Sequence, residues 1–275
     1  MKRFVLCAAL LLIPCLLFSS CRLAGRSSVT APETTESTTS NVVRVTFPEG
    51  FTAADIAARL EENGVCSKAA FLEEINNTEY LESFDIKIEN PGERSFLLEG
   101  YLFPDTYDFY RNENVPSVVK RFLRNFNSRI KDEYIARAGE LGYTIDEILA
   151  LASIIQEEAG AKAEMGKVSS VLHNRLDSPQ FPKLQCDACS FYLRDSVKPY
   201  VSEEKYEKLL ETYSTYNCYG LPEGPITNPG IEAITAALYP EDTDYYFFAS
   251  DNNGTYYYAA TFSEHQENCK LAGIY

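Results

Sequence analysis

The sequence predicts an α+β fold in which a small β-α-α unit precedes a larger domain of mixed helices and strands. Three observations predict it. A β-rich run over residues 42–47 leads into two capped helical segments, helical patterns recur between residues 114 and 240, and two aromatic strands flank a turn at residues 251–254. Hydrophobic residues make up 45% of the 275 residues, which is enough for a substantial core.

The first 21 residues are typical of an export signal that does not belong to the mature fold. Lys2 and Arg3 precede an apolar run that ends at Phe18, and small residues then lead to Cys21. The ending LLFSSC resembles the lipobox of bacterial lipoproteins, which predicts lipid attachment at Cys21. An uncleaved anchor helix over residues 4–20 is the alternative, because this run is near the lower length limit for crossing a bilayer. Both interpretations place the rest of the chain outside the cytoplasm, anchored to a bacterial cell membrane.

Residues 22–41 are rich in Thr and Ser and contain almost no large apolar side chain. Such a segment cannot bury enough surface to fold, so it is predicted to tether a globular enzyme or binding module. The formal net charge of −15 and the pI near 4.7 argue against a nucleic-acid partner, because neutralising phosphates requires clustered Lys and Arg.

Residues 42–90 are predicted to form the small β-α-α unit. The run VVRVTF is typical of a strand, and the PEG that follows is typical of a turn. The first helix is predicted to begin after Thr52 as N-cap and to end at Gly64, and the second has Ser67 as its N-cap. A unit of this size needs a neighbour to pack against.

Residues 91–275 are predicted to form the larger domain. One long amphipathic helix is expected over residues 114–142, and shorter ones over residues 144–160, 163–176, 204–213 and 229–240. The strands DYYFFAS and TYYYAATF are expected to form a hairpin in which Asn253 and Gly254 supply the positive φ angles.

The sequence contains little evidence for a metal site or for a serine nucleophile. Cys186 and Cys189 have a zinc-like spacing, but a structural zinc site needs four ligands, so no metal is predicted. Five cysteines follow Cys21, so at least one is expected to stay unpaired or to pair with another chain. There is no G-x-S-x-G motif, and His173 and His265 are both predicted to be surface or packing residues.

Glu158 is the acid that lies closest to the apolar stripe of its predicted helix. At 100° per residue, Gln156 and Glu157 fall on less apolar faces. Partial burial would raise the pKa of the Glu158 carboxyl, giving a group that can donate a proton near neutral pH. The alternative is a glutamate at a helix end that forms an ion pair with Lys162 or Arg175.

Five sequence blocks recur in the same order in one known family. On these blocks the chain resembles the YceG-like endolytic murein transglycosylases, the MltG family, over about residues 42–270. The blocks are LEGYLFPDTYDF (98–109), LASIIQEEAG (151–160), VSSVLHNRL (168–176), KLQCDACSFY (183–192) and the long block over residues 220–265.

The resemblance places the family's catalytic glutamate on Glu158, whereas Gln156 stands where the family pattern has an acid. It implies that Asn174, Gln185 and Tyr216 orient the N-acetyl groups of the substrate. The other candidate substrate-binding residues on family motifs are Glu99, Tyr101, Asp105, Asp187 and Ser214, the last of which replaces an Asn.

Aromatic side chains suit a sugar cleft, because Tyr presents a flat face and a hydroxyl group. Tyr101, Phe103 and Tyr107 are predicted to line such a cleft. The aromatic residues at 245–248 are predicted to pack a sheet instead.

The resemblance implies a lyase that cleaves the MurNAc-β-1,4-GlcNAc bond within nascent peptidoglycan strands. The muramic 6-hydroxyl attacks its own C1, which leaves a 1,6-anhydro end, and one Glu serves as general acid and base without a cofactor. The implied partners are peptidoglycan strands and wall-synthesis proteins. Residues 42–90 are implied to be a reduced LysM-like unit that precedes a YceG-like catalytic domain.

Two other functions stay open. The departures at Gln156 and Ser214 favour a peptidoglycan-binding lipoprotein with weakened catalysis. A water-using muramidase needs a second carboxylate, such as Asp105 or Asp187, opposite Glu158.

Overall fold

The computed structural model describes residues 41–274, in which the first predicted strand and its two helices form as expected. In chain order these elements are β1 (Val42–Thr46), α1 (Ala53–Glu62), α2 (Lys68–Glu74) and the short α3 (Glu79–Ser83). The Thr52 side chain accepts a hydrogen bond from the Asp55 amide, and the Ser67 side chain accepts one from the Ala70 amide. Both predicted N-caps are therefore confirmed.

The partner of β1 lies beyond the segment predicted as a small unit. β2 (Thr106–Tyr110) pairs antiparallel with β1, so that Val42 faces Tyr110 and Thr46 faces Thr106. A lone strand would leave its backbone N–H and C=O groups without partners, and β2 satisfies one edge. The boundary predicted at residue 90 therefore separates two strands that share one sheet.

The single long helix predicted over residues 114–142 is a pair of helices instead. They are α4 (Val115–Arg129) and α5 (Asp132–Leu141). Ile130 and Lys131 adopt extended backbone between them. Asp132 and Glu133 then occupy the first turn of α5, where the helix dipole favours negative charge. The amphipathic period continues across the break, which explains why the pattern alone predicted one helix.

The remaining part of the core is built around one helix whose middle two turns are completely buried. Its helices are α6 (Ile145–Glu158), α7 (Met165–Leu176), α8 (Asp187–Phe191), α9 (Glu203–Tyr213) and α10 (Ile231–Leu238). All residues of α6 from Ile148 to Ile155 are buried, and the helix packs against α7 and α10. Because the middle of α6 is enclosed, only its two end turns can reach cavities open to solvent, and the C-terminal turn carries Glu158.

A hairpin and a terminal helix close the fold, namely β3 (Phe247–Ser250), β4 (Tyr256–Ala259) and α11 (Phe262–Leu271). The hairpin is confirmed, but its turn is longer than the predicted one. Residues 251–255 connect the strands, and among the turn residues only Gly254 has a positive φ, of 80°. The Asp251 carboxylate accepts hydrogen bonds from the amides of Asn253 and Thr255, which stabilises the longer turn.

Within residues 41–274, no helix is both long enough and apolar enough to cross a membrane. The predicted export signal, Cys21 and the tether up to residue 40 lie outside the described residues. The lipid anchor and the membrane location therefore stay predictions.

Candidate active site

Glu158, in the last turn of α6, lies on the wall of a cavity of about 320 Å³. The walls come from α6, α7, the segment around α8, the loop after α9, β3 and α11. The lining residues are Glu158, Val171, Leu172, Arg175, Leu184, Gln185, Cys186, Asp187, Tyr216, Tyr246, Phe247, Phe248, Phe262 and His265. A carboxyl group, amide and hydroxyl groups and aromatic rings therefore share one space.

The pKa of the Glu158 carboxyl is raised to about 7, and burial is the largest cause. The negative charges of Asp187 and Glu157 also raise the pKa, whereas the Ala188 amide and the Cys186 thiol favour the ionised form and oppose the shift. A substantial fraction of Glu158 is therefore protonated near neutral pH. Such a group can donate its proton to a leaving oxygen and is regenerated without a metal or cofactor.

Tyr256 of β4 holds the backbone on which Glu158 lies. Its hydroxyl donates a hydrogen bond of 2.6 Å to the Glu158 carbonyl and accepts one of 2.7 Å from the Gly160 amide. The carbonyls of a last helical turn have no partner within the helix, so this contact satisfies one of them. The hairpin thus fixes the helix end that presents the carboxyl to the cavity.

Tyr256→Phe is expected to lower the free energy of unfolding by about 1–2 kcal/mol, because two hydrogen bonds are lost. It is also expected to lower the pKa of Glu158 below about 7, since a looser helix end admits water to the carboxyl. Urea unfolding and a ¹³C NMR titration of Glu158 measure the two effects. Tyr257→Phe is the matched control, because the Tyr257 hydroxyl has no hydrogen-bond partner within residues 41–274. Equal behaviour of the two variants would contradict the role of Tyr256.

Arg175 connects three segments of the cavity wall. Its Nε donates to the Lys183 carbonyl at 2.9 Å, its Nη1 donates to the Tyr246 carbonyl at 3.1 Å, and its Nη2 donates to Oε1 of Gln185. Arg175 is only 7% exposed, and it forms no ion pair within the described part of the chain. Gln185 adopts a positive φ of 57°, which is uncommon outside Gly, and the Arg175 contact holds its side chain in place.

Tyr216 and Asp187 form a second polar part of the wall. The Tyr216 hydroxyl donates to Oδ1 of Asp187 at 2.9 Å, and both side chains are exposed. The neighbouring Thr215 hydroxyl donates to the Cys186 carbonyl at 3.0 Å and accepts from the Cys186 amide at 2.9 Å. Thr215, which we did not single out from the sequence, thereby fixes the segment that carries Gln185 and Asp187.

Three of the sequence-predicted site residues, Gln185, Asp187 and Tyr216, thus share the cavity with Glu158. Asn174 does not line it. Its side-chain amide donates to the carbonyls of Thr243 and Tyr245 at 2.7 and 2.9 Å, which fixes the segment leading into β3.

Ser214 also lies outside the cavity wall. It ends α9, and its carbonyl accepts hydrogen bonds from the amides of Asn217 and Cys218. The replacement of the family's Asn by Ser214 therefore affects a helix end and not the cavity wall.

Glu99 is completely buried at a junction far from solvent. Its carboxyl oxygens accept hydrogen bonds from the Ala53 amide at 2.9 Å, the Asn228 side-chain amide at 2.7 Å and the Tyr192 hydroxyl at 3.1 Å. Burial raises the pKa of this carboxyl to about 8. Glu99 therefore joins the start of α1 to the rest of the fold and has no route to a substrate.

Tyr101 and Asp105 have structural contacts as well. The Tyr101 hydroxyl donates to Asp146 at 2.7 Å, and Asp105 forms an ion pair of 2.6 Å with Arg129. Tyr101, Phe103 and Tyr107 are all below 8% exposed. The predicted aromatic cleft is therefore corrected: these rings belong to the core, because they alternate with polar residues around β2 and pack against α4.

The aromatic rings of the cavity come from β3 and α11 instead. Tyr246, Phe247 and Phe248 pack the hairpin, as predicted, and also line the cavity. Phe262 and His265 of α11 complete this side, although we had predicted a surface or packing role for His265. The only sequence signal for them was their position at the end of the last family block.

Gln156 points away from the cavity. Its Oε1 accepts a hydrogen bond of 3.0 Å from the Gly230 amide, at the N-terminus of α10. A glutamate oxygen can accept the same hydrogen bond, so the departure from the family pattern concerns the support of α10 and not the cavity wall.

Gln156→Glu is therefore expected to keep the acceptor of the Gly230 amide and to leave the stability of the fold within about 1 kcal/mol of the wild type, since the dipole of α10 favours the new negative charge. Gln156→Leu is expected to destabilise it by about 1–3 kcal/mol, because the Gly230 amide loses its acceptor. Thermal or urea unfolding of both variants checks the contrast. A stability loss in the Glu variant as large as in the Leu variant would refute this assignment.

The described part of the chain holds no cluster of three or more His, Cys, Asp or Glu residues suited to a metal ion. Its five cysteines, Cys66, Cys186, Cys189, Cys218 and Cys269, are free thiols.

Comparison with known proteins gives consistent matches. A profile of the YceG-like family matches residues 25–271. The endolytic murein transglycosylase of Bacillus subtilis (strain 168) is 29% identical over 247 residues, which are 85% of this chain and 66% of that protein. The endolytic murein transglycosylase of Streptococcus pneumoniae (strain D39) is 26% identical over 229 residues, 81% of this chain and 39% of that protein.

A crystal structure of a yceG-like protein from Listeria monocytogenes superposes with a TM-score of 0.69 at 28% identity. The superposition covers 82% of this chain and 75% of that one. The chain spans just under two thirds of the Bacillus relative and about two fifths of the pneumococcal one.

Proposed function

The chain belongs to the YceG-like family, and on that premise we propose that it is an endolytic peptidoglycan lytic transglycosylase. The relatives named endolytic murein transglycosylase support the reaction class. The observation that carries the proposal is the position of Glu158, a carboxyl with a raised pKa on the wall of a cavity that also holds amide, hydroxyl and aromatic groups.

In the proposed reaction the substrate is a glycan strand held across the cavity at a MurNAc-β-1,4-GlcNAc bond. Glu158 donates its proton to the glycosidic oxygen, the bond from that oxygen to C1 of the muramic residue breaks, and the muramic 6-hydroxyl bonds to C1. The proton of the 6-hydroxyl passes to the Glu158 carboxylate, which restores the protonated acid. Because the attacking oxygen belongs to the reacting sugar, no water or second carboxylate is required.

We propose that Gln185, Asp187 and Tyr216 contact the sugars, since all three line the cavity and are exposed. The Gln185 side-chain nitrogen has no partner within residues 41–274, so it is available to an acetamido oxygen. The remaining candidates, Asn174, Glu99, Tyr101, Asp105 and Ser214, are proposed to maintain the fold around the cavity.

A water-using muramidase is the second candidate function, and the position of Asp187 favours it. Asp187 shares the cavity with Glu158, and its charge raises the Glu158 pKa. Asp105 does not qualify, because it is engaged with Arg129. A weakened binding lipoprotein is less well supported, since neither Gln156 nor Ser214 lies on the cavity wall.

Digestion of purified, uncrosslinked glycan strands followed by mass spectrometry separates these functions. A lytic transglycosylase yields 1,6-anhydro ends, each one water lighter than the reducing ends that a muramidase yields. Internal cleavage products show endolytic action. Reducing ends would replace the proposal with the muramidase, and absence of cleavage with retained binding would replace it with the binding lipoprotein.

We also propose that the protein acts outside the cytoplasm, tethered to the membrane through Cys21 or an N-terminal helix, and that it meets wall-synthesis proteins there. The β1–α1–α2–β2 arrangement supports a LysM-like unit for peptidoglycan contact. Membrane fractionation of the full chain and of Cys21→Ala tests the anchor: release of the variant supports lipidation, and retention supports the uncleaved helix.

A further inference from the structure

Tyr219 lies in the loop after α9 and, at 73%, has the most exposed large hydrophobic side chain among residues 41–274. Its hydroxyl makes no hydrogen bond within that range. Single exposed rings are common on protein surfaces and need no function. This ring differs because neighbouring groups hold it beside the cavity that contains Glu158.

Lys183 joins the Tyr219 ring to the cavity wall. Its Nζ lies 4.9 Å from the ring centroid, a cation–π contact, and donates a hydrogen bond of 3.0 Å to the Tyr216 carbonyl. Tyr216 lines the cavity, and so do Leu184 and Gln185, which directly follow Lys183. One ammonium group therefore contacts both Tyr216, on the wall, and Tyr219, beside it.

The backbone around this contact is also fixed. Lys183 and Gly220 form a parallel β-bridge, and the Gly220 amide donates to the Pro182 carbonyl at 3.1 Å. Gly220 has a positive φ of 76°, which lets the chain turn directly after Tyr219. A ring held in this way loses little conformational freedom when a ligand packs on it, so little of the contact energy is spent on ordering it.

The Tyr219 ring has one face covered and one face free. Lys183 lies over one face, and the high exposure of the side chain leaves the other open to solvent. The face of an aromatic ring carries partial negative charge, whereas the C–H groups on the flat side of a pyranose carry partial positive charge. The two surfaces attract each other and bury apolar area together. The open face of Tyr219 is therefore complementary to a sugar ring.

Lys183 adds an accessible positive charge beside the cavity. Its ammonium has no carboxylate partner in the described part of the chain, and the Tyr216 carbonyl uses one of its three N–H donors. Arg175, the cation on the wall itself, is buried and donates to three protein acceptors. A protein with a formal net charge of −15 repels anionic ligands, so a local cation favours a carboxylate at this position.

We propose that Tyr219 and Lys183 form an outer sugar-binding subsite for a muramic residue of the strand that is cleaved in the cavity. The pyranose stacks on the free face of Tyr219, and a carboxylate of the lactyl group or of the peptide stem binds Lys183. The inference rests on the proposed function, because cleavage of an internal bond requires the strand to extend beyond the cavity. It assigns one part of that extension to residues 183 and 219.

The first test compares Tyr219→Ala with the wild type on glycan strands of defined length. The KM for long strands is expected to rise roughly 3–10-fold with little change in kcat, because the stacked sugar is bound equally in the ground state and the transition state. The difference should shrink as the strand is shortened. Tyr219→Phe should retain the wild-type KM, because it keeps the ring.

Tyr239→Ala is the matched control. Tyr239 is also exposed, at 49%, and also has a cation over its ring, Arg137 at 5.4 Å. Within residues 41–274, however, no hydrogen bond or ring contact joins Tyr239 to the cavity wall. This variant is expected to keep the wild-type KM at every strand length. An unchanged KM in Tyr219→Ala, or an equal rise in Tyr239→Ala, would overturn the subsite.

The second test measures binding without cleavage, by isothermal titration calorimetry in the Glu158→Gln background. The probes are stem-bearing strands, strands from which an amidase has removed the peptides, and chitin oligosaccharides of the same length, which have no carboxylate. Tyr219→Ala is expected to weaken the binding of all three.

Lys183→Gln is expected to weaken the binding of the carboxylate-bearing strands roughly 2–5-fold at low salt, and to leave chitin binding unchanged. A loss with the stem-bearing strands alone assigns the carboxylate to the stem, and a loss with the peptide-free strands alone assigns it to the lactyl group. Lys120→Gln, which removes the same charge from the exposed side of α4, should change none of the affinities. An equal loss with chitin would overturn the role of Lys183.

The subsite and the proposed function can fail separately. If the wild type gives anhydro ends but Tyr219→Ala keeps the wild-type KM and affinity, the subsite is wrong and the transglycosylase proposal stands. If the wild type gives reducing ends, the reaction class is wrong. The calorimetric comparison then still decides the subsite, because it uses a protein that does not cleave the strand.

Discussion

Glu158→Gln is expected to abolish glycan cleavage, with a loss of at least roughly 10²–10⁴-fold in kcat, while the variant still binds glycan strands. The amide has nearly the same size and shape as the protonated carboxyl but cannot transfer a proton to the leaving oxygen. The measurement is the rate of appearance of new chain ends, with unfolding midpoints recorded in parallel. The half-buried side chain pays no new desolvation penalty, so stability is expected to be unchanged or higher.

Glu157→Gln is the matched control, one residue away. Glu157 is exposed and does not line the cavity, so its rate at neutral pH is expected to stay within a few-fold of the wild type. The negative charge of Glu157 contributes to the raised pKa of Glu158, so in this variant activity should begin to fall at a lower pH than in the wild type.

The activity of the wild type is expected to decline as pH rises through about 7, because Glu158, the proton donor, is then ionised. Full activity of Glu158→Gln would remove the acid from our mechanism.

Glu99→Ala is expected to cause the largest loss of stability. It leaves the Ala53 amide, the Asn228 side chain and the Tyr192 hydroxyl without their acceptor in a fully buried site. Each buried donor that finds no water costs about 1–3 kcal/mol. Glu99→Gln is expected to be tolerated, because its oxygen can accept from two donors and its amide can donate to Tyr192. Urea unfolding of the two variants measures the difference, and equal losses would exclude the hydrogen-bonded role.

The same carboxyl gives stability a pH dependence of known sign. Glu99 keeps its proton in the folded state up to about pH 8 but loses it near 4.5 when unfolded. Between these values the folded state binds more protons, so the free energy of unfolding decreases as pH rises, by up to about 1.4 kcal/mol per pH unit. Glu99→Gln should lack this part of the slope. An unchanged slope would show that Glu99 is ionised in the fold.

Helical periodicity singled out Glu158 as the acid nearest the apolar stripe, but it left an ion pair at the helix end equally open and did not describe the surroundings. The 3.6-residue period orders side chains around one helix, and Glu158 lies where the apolar stripe reaches the helix end. The caps at Thr52 and Ser67 were equally local and were also predicted. Local patterns depend on a few adjacent residues, so they need no knowledge of the fold.

The contributions of distant segments could not be predicted in this way. The Tyr256 contact with the α6 end spans 98 residues of sequence, and the place of His265 depends on where α11 packs. Two runs of Tyr and Phe residues, at 101–107 and at 245–248, have similar composition. The rings of the first run lie in the core, whereas those at 246–248 line the cavity. Composition identifies sugar-binding side chains only after the fold has shown which of them are exposed.

The pairing of β1 with β2 has a mechanical consequence. Tension carried along the chain from residue 40 enters the described fold at Val42, the end of β1 that faces Tyr110. A pull directed away from the sheet would open the ladder one residue pair at a time from that end, and peeling of this kind resists force far less than sliding does. The β1–β2 sheet would therefore yield first under load. Since β1 contributes no residue to the cavity wall, a protein stretched between two anchorage points could extend there and keep its reactive centre assembled.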